Sequence, residues 1–584
     1  MTPPLASPER LAVDVVVVGS GGAGLMAVRH ACATDPALRV ALVSKGLVGR
    51  SGCSVMAQGY NAAIGADDDP ATHFEDIVRG GAFLSDQSLA WALASDAPLV
   101  VRELADELGC AFDRASDGSL ELLPFAGQSR RRKVHRGHLT GLEILARLRD
   151  DLIRTRPIVL EDTRALDLLV DDRGTAGLVA LDVRRGKPIV VEAAVVVLAA
   201  GGSAAASYRV ATPAREKSGD GLALVLRAGL PLRDMEMVQF LSVGLAAGGS
   251  VLTGALLEEA LRFAGAELWN AAGERFMERY DPERGEKAPR DVVARAAYDE
   301  ILGGRGTPEG AVLLDCRPIG RAALEARFGE LTARARLLGV DLAAAPVPIA
   351  PAAHIGIGGA VVDEHGATAI PGLLVAGEDA GGVHGASWAG GNGIAESTVF
   401  GRRAGRVAAA LARERMAPVS IPDGLVADVL GRVAAPLVRA TASPSGKTGG
   451  ELARELGDIF WERVGPRRDA AGLADAAARI AELHERAGRV TVTGPPAANG
   501  AWQEALDLES RLAVAEVVVA AAAARTESRG VHVRRDFPTA DRWPQAAIVR
   551  RDAGGVRVTM DPVALDRLRP ETPVAAGPPT GATS

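Results

Sequence analysis

The sequence predicts an α/β protein whose parallel sheet is discontinuous along the chain, with an inserted α+β domain and a C-terminal helical domain. Three short apolar runs support this sheet: Val13–Val18, Ala193–Gly202 and Ile370–Gly382. The first is a β-branched run too short for a helix, which is typical of a parallel strand buried on both faces. The other two are interpreted as buried strands that end in glycines. Because the runs lie near residues 15, 200 and 375, the sheet must combine distant segments. Residues from about 235 to 350 are then an insertion that caps the sheet.

A glycine motif follows the first run. The glycines of GSGGAG occupy the positions of a GxGxxG motif: Gly19, Gly21 and Gly24. A helix over 25–33 and a second apolar strand over 39–45 complete a βαβ unit, which indicates a Rossmann-like nucleotide-binding domain. The glycines permit a tight turn and close approach of a pyrophosphate, and the helix N-terminus offers amides and a positive dipole. The second strand ends in Ser44 and Lys45 instead of an acidic residue, which counts against a plain NAD site.

Alanine-rich sequence after Gly405 predicts a helical bundle packed on the sheet domain. One helix face is formed by apolar residues at alternating spacings of three and four: Leu473, Ala476, Ile480, Leu483 and Ala487. A second long helix is predicted over 502–530. The predicted domains are a nucleotide-binding domain over 1–233 and 349–408, a capping domain over 234–348, a helical domain over 409–545 and a tail over 546–584. The part of the tail from about Arg569 is predicted to be disordered.

Composition argues against several classes of function. The chain has 584 residues, a net charge of −7 and no basic half, so nucleic acid is not an expected partner. The basic run Arg130–Lys133 is interpreted as a solvated or subunit-facing loop. No membrane-length apolar run and no secretory signal is visible, so a cytoplasmic protein without direct membrane insertion is expected. The four cysteines form no CxxC and the nine histidines lack metal-ligand spacing, which predicts neither an iron–sulfur cluster nor a metal site.

Further motifs follow in a fixed order along the chain. They include MAQGYNAA, VVLAAGG, SGDGLAL, PLRDMEMVQF, APRD, AAHIGIGGA, LLVAGE, VHGA and RTESRG. With these motifs the chain resembles the flavoprotein subunits of succinate dehydrogenase and fumarate reductase, and their relative L-aspartate oxidase, from about Val13 to about Asp552. The resemblance implies FAD as cofactor, a Rossmann-like FAD-binding domain, a capping domain and a C-terminal helical domain. It also accounts for the absent acidic residue, since Ser44-Lys45 is similar to the family's own variant.

The resemblance assigns FAD contacts to several parts of the chain. Gly19–Gly24 would hold the pyrophosphate, and Ser51–Gly59 would run along the flavin. Asp220 and Glu378 would hold ribose or ribityl hydroxyls, and Gly391–Ile394 would lie beside the isoalloxazine ring. The individual residues implied are Gly19, Gly21, Gly22, Ala23, Gly24, Ser44, Lys45, Ser51, Gly52, Cys53, Ser54, Gln58, Gly59, Ala200, Gly201, Gly202, Asp220, Glu378, Asn392, Gly393 and Ile394.

The resemblance also implies catalytic residues. In the family, a hydride moves between the flavin and a carbon beside a carboxylate, and a proton moves to or from the neighbouring carbon. Arg290, in APRD, matches the family's arginine acid. Because arginine barely gives up its proton, it needs a partner. Glu259 and Arg262, in LLEEALR, match that relay, with Glu258 as the alternative to Glu259; outside the family such a trio would be interpreted as an ion-pair network. His354, in AAHIGIGGA, matches a histidine that binds a substrate carboxylate.

Three residues depart from the family's pattern. Cys53 stands where the family has the histidine that links flavin covalently, so non-covalent FAD is expected, with a thioether to Cys53 as the alternative. Leu241 and Trp388 stand where the family has a histidine and an arginine that bind carboxylate. A carboxylate left unpartnered there would lose roughly 2–5 kcal/mol of binding energy, so C4 dicarboxylates are not the expected substrates. Indole favours a substrate with one flat or apolar end; the alternative is that Trp388 is only a lid over the flavin.

The predicted function is therefore an FAD-dependent oxidoreductase that acts on a C–C bond beside a carboxylate of a small molecule. The alternatives are an amine oxidase similar to L-aspartate oxidase, and a flavin-bearing electron-transfer subunit without a working substrate pocket. Because the chain carries no redox relay of its own, electrons must come from outside. An iron–sulfur subunit, a small reductant or dioxygen is the expected electron partner.

The mode of flavin attachment can be tested on the purified protein. We expect acid denaturation to release the flavin into the supernatant, because no linking histidine is present at position 53. Flavin absorbance in the supernatant and pellet measures the two fractions. Flavin fluorescence that stays with the denatured polypeptide, and disappears in Cys53→Ser, would show a thioether instead.

Overall fold

A computed structural model of the chain describes residues 5–571, except 126, 203, 213–215, 248–249, 251, 416–420, 440–445 and 541–542. The strands are β1 (Glu9–Val18), β2 (Val40–Val43), β3 (Tyr60–Asn61), β4 (Lys133–Val134), β5 (Ile158–Leu160), β6 (Thr163–Asp171), β7 (Gly174–Asp182), β8 (Lys187–Leu198), β9 (Leu232–Arg233), β10 (Val238–Leu245), β11 (Glu267–Trp269), β12 (Val312–Asp315), β13 (Val347–Gly356), β14 (Gly359–Ala360), β15 (Leu373–Val375), β16 (Gln545–Asp552) and β17 (Gly555–Pro562). The helices are α1 (Gly22–Thr34), α2 (Pro70–Gly80), α3 (Gln87–Arg102), α4 (Thr140–Thr155), α5 (Asp220–Arg227), α6 (Ala260–Phe263), α7 (Met277–Tyr280), α8 (Arg290–Glu300), α9 (Arg321–Leu337), α10 (Asn392–Arg415), α11 (Asp423–Arg439), α12 (Gly449–Arg463), α13 (Ala470–Ala487) and α14 (Gly500–Ala524).

The largest sheet runs in the order β5–β2–β1–β8–β7–β6. β1 pairs in parallel with β2 and β8, and β15 pairs in parallel with the last residues of β8. The three apolar runs therefore meet in one sheet, as the sequence predicts. Along β1, Val16 and Val18 pack into one apolar cluster, and Val15 and Val17 into another. This sheet is thus buried on both faces, as parallel sheets are.

A second, antiparallel sheet, in the order β10–β13–β12–β11, is built from the inserted part of the chain. The apolar cluster beneath it draws its buried residues from Val243 to Ile349, so this unit has a core of its own. β13 spans the predicted domain boundary at 348/349. Its first residues pair with β12 and the rest pair with β10, so the whole strand belongs to the sheet of the inserted unit and no break in pairing occurs at that boundary.

The third sheet, in the order β14–β9–β16–β17, lies where the chain enters and leaves the inserted unit. β9 and β14 pair directly, with Arg233 opposite Gly359. The hairpin of β16 and β17 lies in the range that the sequence assigns to a tail, and it joins the sheet because Ala547 and Val549 are buried and β16 pairs with β9. Residues from 572 onward, which hold most of the segment predicted to be disordered, lie outside the described residues.

The C-terminal helices pack as a bundle. α13 buries the predicted apolar face through Leu473, Ala476, Ile480 and Leu483. α14 ends at Ala524, before the predicted residue 530. It ends there because the next residue, Arg525, is fully buried in ion pairs with carboxylates of Asp234, Glu236 and Glu527. Within the described residues, no helix combines the length and hydrophobicity needed to cross a bilayer.

The basic run Arg130–Lys133 is only partly solvated, so the interpretation as a solvated loop is wrong for two of its residues. Arg130 and Arg131 are exposed. Arg132 is fully buried, because its guanidinium donates to both carboxylate oxygens of Asp68 and to one of Asp76. Lys133 begins β4 and is half-buried.

The crossing of α1 and α10 generates a stability prediction. A Cβ added to Gly405 of α10 would lie 2.4 Å from the carbonyl oxygen of Ala27 in α1. Gly405→Ala is therefore expected to lower the free energy of unfolding by about 1–3 kcal/mol, because helix backbone cannot move aside as a flexible side chain can. Urea unfolding measures the change.

Gly431→Ala in α11 is the matched control, since a Cβ there meets nothing within 4 Å. In that helix the substitution should leave the stability unchanged or raise it by up to about 1 kcal/mol. Equal responses of the two variants would contradict the packing argument.

Candidate active site

The carboxyl ends of β1, β2, β8 and β15 open into one crevice, the place where doubly wound sheets bind their ligands. β1 leads directly into Gly19, which has a φ of 105°. A Cβ on Gly19 would lie 2.0 Å from the carbonyl oxygen of Ala199, which follows β8. The turn therefore accepts only glycine, and the first glycine of the motif has the conformation that the sequence predicts.

The N-terminal end of α1 leaves its backbone amides available. Its N-cap, Gly21, provides no side-chain hydrogen bond, and the first turn contains no acidic residue. The Gly22 amide donates to Ser54 Oγ at 3.2 Å, and Ser20 and Ser44 share a hydrogen bond of 2.7 Å. The predicted pyrophosphate residues Gly19–Gly24, the end of β2 and part of the 51–59 segment thus come together, in a setting that suits a diphosphate.

Lys45 and Asp220, both predicted to bind the cofactor, contact each other. Lys45 Nζ donates to Asp220 Oδ2 at 3.0 Å, while Asp220 Oδ1 accepts from Arg164 at 2.6 Å and from Ser510 at 2.7 Å. Burial by itself would raise the pKa of the Asp220 carboxyl, but the Arg164 and Lys45 cations lower it well below its usual range. Lys45 also donates to Asp507 of α14 at 2.7 Å, so this cluster joins the crevice to the helical domain.

Glu378, predicted to bind a sugar hydroxyl, is paired with Lys217. Lys217 Nζ donates to Glu378 Oε2 at 2.5 Å, and the same ammonium is hydrogen bonded to the Cys53 thiol. Burial raises the pKa of Glu378. The neighbouring Asp379 accepts from the backbone amides of Gly201 at 3.0 Å and Gly202 at 2.8 Å, and burial raises its pKa to about 6.

The predicted flavin segment 51–59 is a loop that includes one short helical turn at Ser54–Met56. The Ser51 hydroxyl donates to the Leu47 carbonyl at 2.8 Å. A Cβ on Gly52 would meet nothing within 4 Å, whereas one on Gly59, which follows Gln58, would meet the side chain of Lys133. The loop therefore borders open space at one end and Lys133 at the other.

The start of α10 fits a flat, polar-edged ring. Asn61 donates to the Gly390 carbonyl at 2.7 Å and to Asn392 Oδ1 at 2.8 Å. Asn61 Oδ1, Asn392 Nδ2 and Trp388 Nε1 are buried and lack a hydrogen-bond partner among the described residues. A Cβ on Gly393 would lie 3.3 Å from Trp388 Nε1, which places the indole over the helix start that also holds Ile394. Buried polar atoms without partners normally face a ligand or water, so these residues fit the isoalloxazine of FAD.

The predicted catalytic residues form one chain of contacts. Arg290 is the first residue of α8, and its Nη2 lies 2.9 Å from Glu259 Oε2. Glu259 Oε1 accepts from the Ser242 hydroxyl at 3.0 Å and lies 4.0 Å from Arg262 Nη2. Burial would raise the pKa of Glu259, but the Arg290 and Arg262 cations lower it. Burial also lowers the pKa of Arg262, whose guanidinium donates to backbone carbonyls at Glu286 and Ala288.

The geometry distinguishes Glu259 from Glu258. Glu258 Oε1 lies 3.3 Å from Nδ1 of His138, a residue just before α4. Glu259 contacts both arginines, and the alternative with Glu258 in the relay has no such contact among the described residues.

His354 and Trp388 lie beside each other. His354, on β13, shares a hydrogen bond of 2.7 Å between Nδ1 and Thr212 Oγ1, and its ring centroid is 5.5 Å from that of Trp388. Burial and the nearby Arg290 and Lys217 cations lower the pKa of His354 to about 3, so it is neutral at neutral pH. The Trp388 amide donates to Gln239 of β10 at 2.9 Å.

Leu241 is buried in β10, opposite Ala352 of β13. It lies between Gln239, which contacts the Trp388 backbone, and Ser242, which contacts Glu259. The pairing of β10 with β13 therefore brings Leu241, and Ser242 with its partner Glu259, near the strand that holds His354.

Sequence reasoning missed several side chains of this site: Thr212, Lys217, Ser242 and Asp379. Lys217 and Asp379 stand next to the SGDG and AGE motifs, so inspection of motif neighbours would have identified them. Ser242 likewise follows the predicted Leu241, whereas Thr212 carries no comparable signal, because hydroxyl residues are common and its partner His354 lies 142 positions away.

Comparison with known proteins agrees with this architecture. A family model described as "FAD binding domain" matches residues 14–394. A second model, described as "Fumarate reductase flavoprotein C-term", matches residues 453–575. Together the two models cover the crevice, the inserted unit and the C-terminal part of the chain from within α12 onward.

Relatives match nearly the whole chain. A subunit of the CoM/CoB fumarate reductase of Methanothermobacter marburgensis is 39% identical over 92% of this chain and 97% of its own length. L-Aspartate oxidase of Streptomyces coelicolor is 37% identical over 92% of each. The structure of Mycobacterium smegmatis Sdh1 in complex with UQ1 superposes with a TM-score of 0.88, at 35% identity and 95% coverage of each chain. The fold, the family and the FAD cofactor predicted from the motifs are thereby confirmed. The chain belongs to the family of succinate dehydrogenase and fumarate reductase flavoprotein subunits and is an FAD-dependent oxidoreductase.

Proposed function

We propose that the protein oxidises or reduces a C–C bond beside a carboxylate, in a substrate other than a C4 dicarboxylate. The observation that carries this proposal is the Glu259 carboxylate, held between Arg290 and Arg262. Leu241 and Trp388 are apolar at the two positions where carboxylate-binding groups are expected. FAD, bound in the crevice, supplies or accepts the hydride.

Arg290 is the proposed proton donor to the substrate carbon. A guanidinium gives up a proton only if a neighbouring group returns one at once. Glu259, 2.9 Å from Arg290, is the group that takes up a proton and passes it to Arg290, and Arg262 is the next member of the relay. The two arginines differ in how exposed they are: the Arg290 side chain is 19% exposed and that of Arg262 is 1% exposed. Arg290 is therefore the member of the relay that faces the ligand, and Arg262 is the inner member.

His354 is the proposed ligand of the substrate carboxylate. Because Nδ1 of His354 is already hydrogen bonded to the Thr212 hydroxyl, Nε2 is the nitrogen that binds the carboxylate. The imidazole is neutral, since burial holds its pKa at about 3. It therefore binds through a hydrogen bond and contributes no charge.

The substrate's other end meets apolar groups. Trp388 lies 5.5 Å from His354, and Leu241 lies on the strand that contacts both Trp388 and Glu259. A second carboxylate placed there would lose roughly 2–5 kcal/mol relative to one bound by a cation. Flat or apolar enoates, of which cinnamate is a simple example, are favoured instead.

A second candidate is an amine oxidase, which the 37% identity to L-aspartate oxidase favours. Release of peroxide with amino acids would distinguish it. The third alternative, a decayed electron-transfer subunit, is disfavoured because the contacts of Glu259 are intact.

The remaining assignments are part of the same proposal. The FAD contacts are those assigned from the sequence, with FAD held non-covalently and Cys53 next to Lys217. The domain boundaries at 233/234, 348/349, 408/409 and 545/546 stay proposals. Since several relatives are named as subunits of fumarate reductases, we infer a partner subunit that carries electrons, of iron–sulfur type, and a cytoplasmic location.

The proton relay is tested by Arg290→Lys. We expect bound flavin, reduced anaerobically with dithionite, to be reoxidised by at least one enoate in the parent. In the variant, this reoxidation should be at least about 100-fold slower, because general acid catalysis is lost. Stopped-flow absorbance measures both rates.

Arg295→Lys is the control for that experiment. It lies on the same helix, where its guanidinium pairs with Asp291 at 2.7 Å and not with Glu259. Parental rates with Arg290→Lys for every enoate would contradict the relay.

The substrate assignment is tested by the double variant Leu241→His with Trp388→Arg. Restoring two carboxylate-binding groups should accelerate reoxidation by fumarate at least about tenfold relative to the parent, since a bound charge is worth roughly 2–5 kcal/mol. Trp543→Arg, at an exposed position, should leave the rate unchanged. The assignment fails if fumarate is already the parent's fastest oxidant.

A further inference from the structure

Lys133 is a cation to which the proposed function assigns no role. In the part of the chain that the structure describes, no carboxylate lies within 4 Å of its ammonium. Glu258 acts on it from farther away and is itself engaged by His138. Burial lowers the pKa of the Lys133 ammonium. A half-buried cation without a protein carboxylate gains more from a ligand anion than a solvated one does.

The stem of Lys133 lies against the flavin segment. A Cβ on Gly59 would be 2.6 Å from both Cγ and Cε of Lys133. In the pairing of β3 with β4, Lys133 stands opposite Asn61, whose amide binds the Gly390 carbonyl and Asn392. Lys133 is therefore positioned at the start of α10, beside the crevice and not on the outer surface.

The Phe125 ring contacts both Lys133 and the loop that carries Trp388. The Lys133 ammonium lies 4.8 Å from the centroid of Phe125, a cation–π distance. The same ring lies against Gly390, where a Cβ would be 1.6 Å from Phe125 Cε1. Gly390 is two residues along the chain from Trp388, whose ring lies beside His354, so one loop connects the Phe125 and Lys133 pair to the His354 part of the site.

We propose that Lys133 is a specificity-determining residue that binds an anionic group at the substrate end remote from His354. The substrate class is then an enoate whose flat apolar middle, packed against Trp388 and Phe125, carries a second anionic group. This inference rests on the proposed function and names the substrate for it. Fumarate lacks such an apolar middle, so the two carboxylates of a C4 diacid do not match this spacing of groups.

The test compares cinnamate with 4-carboxycinnamate as ligands of the oxidised holoenzyme. Binding is measured by the perturbation of the flavin absorption spectrum, which needs no turnover. In the parent, 4-carboxycinnamate should bind at least about tenfold more tightly than cinnamate, as a charge-assisted hydrogen bond provides. Lys133→Met should abolish this preference, and Lys133→Arg should retain most of it.

Lys187→Met is the matched control, because Lys187 begins β8 and pairs with Glu9 at 2.5 Å, away from the crevice. It should show the parental preference. Flavin content and the spectrum of each variant, together with the behaviour of Lys133→Arg, separate a folding defect from lost recognition.

Three results would overturn the inference. The first is no preference for 4-carboxycinnamate in the parent, and the second is an unchanged preference in Lys133→Met. The third is an altered flavin midpoint potential in Lys133→Met with unchanged ligand discrimination, which would assign Lys133 to the flavin. Failure of the proposed function looks different: no enoate would reoxidise the reduced flavin, whichever residue stands at position 133.

Discussion

The ion pairs of Arg525 determine how the domains of this protein meet. Its fully buried guanidinium needs carboxylates on several sides, because an unpaired buried charge costs several kcal/mol. Asp234 and Glu236 come from the link between β9 and β10, and Glu527 from the segment after α14. Asp234 also accepts from the Ala547 amide of β16. One side chain thus connects the entry to the inserted unit, the end of the helical bundle and the C-terminal hairpin.

The same constraint recurs in the crevice, where each buried carboxylate joins two parts of the structure. Asp220 is held by Lys45 and Arg164, and Lys45 also reaches Asp507 in the helical bundle. Glu259 differs from Asp220 in one respect. One of its two arginines, Arg290, remains partly exposed, as the proposed proton donor must be, whereas Asp220 connects the main sheet domain to the helical bundle through Lys45.

The strands of the main sheet and the buried face of α13 could be predicted, because each depends on a pattern of neighbouring residues. The apolar runs gave the parallel strands, and the spacing of Leu473, Ala476, Ile480 and Leu483 gave the buried face of α13. Family motifs pointed to Arg290, Glu259 and Arg262, which the structure brings into contact, although only the structure separates Glu259 from Glu258, since adjacent carboxylates look equivalent in a sequence. The order of the motifs also identified the cofactor.

Long-range contacts explain what the sequence could not predict. α14 stops early because the partners of Arg525 lie about 290 residues away, at Asp234 and Glu236. The basic run Arg130–Lys133 contains both exposed and buried residues, because Arg132 is hydrogen bonded to Asp68, which lies 64 residues earlier in the chain. The roles of Thr212 and Ser242 follow from strand pairing alone, which no motif records.

The direct pairing of β9 with β14 has a mechanical consequence. The chain enters and leaves the inserted unit through two strands that are hydrogen bonded to each other, so they must twist together as a ribbon. Opening of the cap would then be a rotation about this ribbon, as hinges between domains allow. His354 lies two residues before the end of β13 and is close to the axis, whereas Arg290 is in the body of the cap. Arg290, the proposed acid, would swing away while His354, the proposed ligand of the carboxylate, stays still, and a substrate bound by His354 would meet the proton donor only on closure.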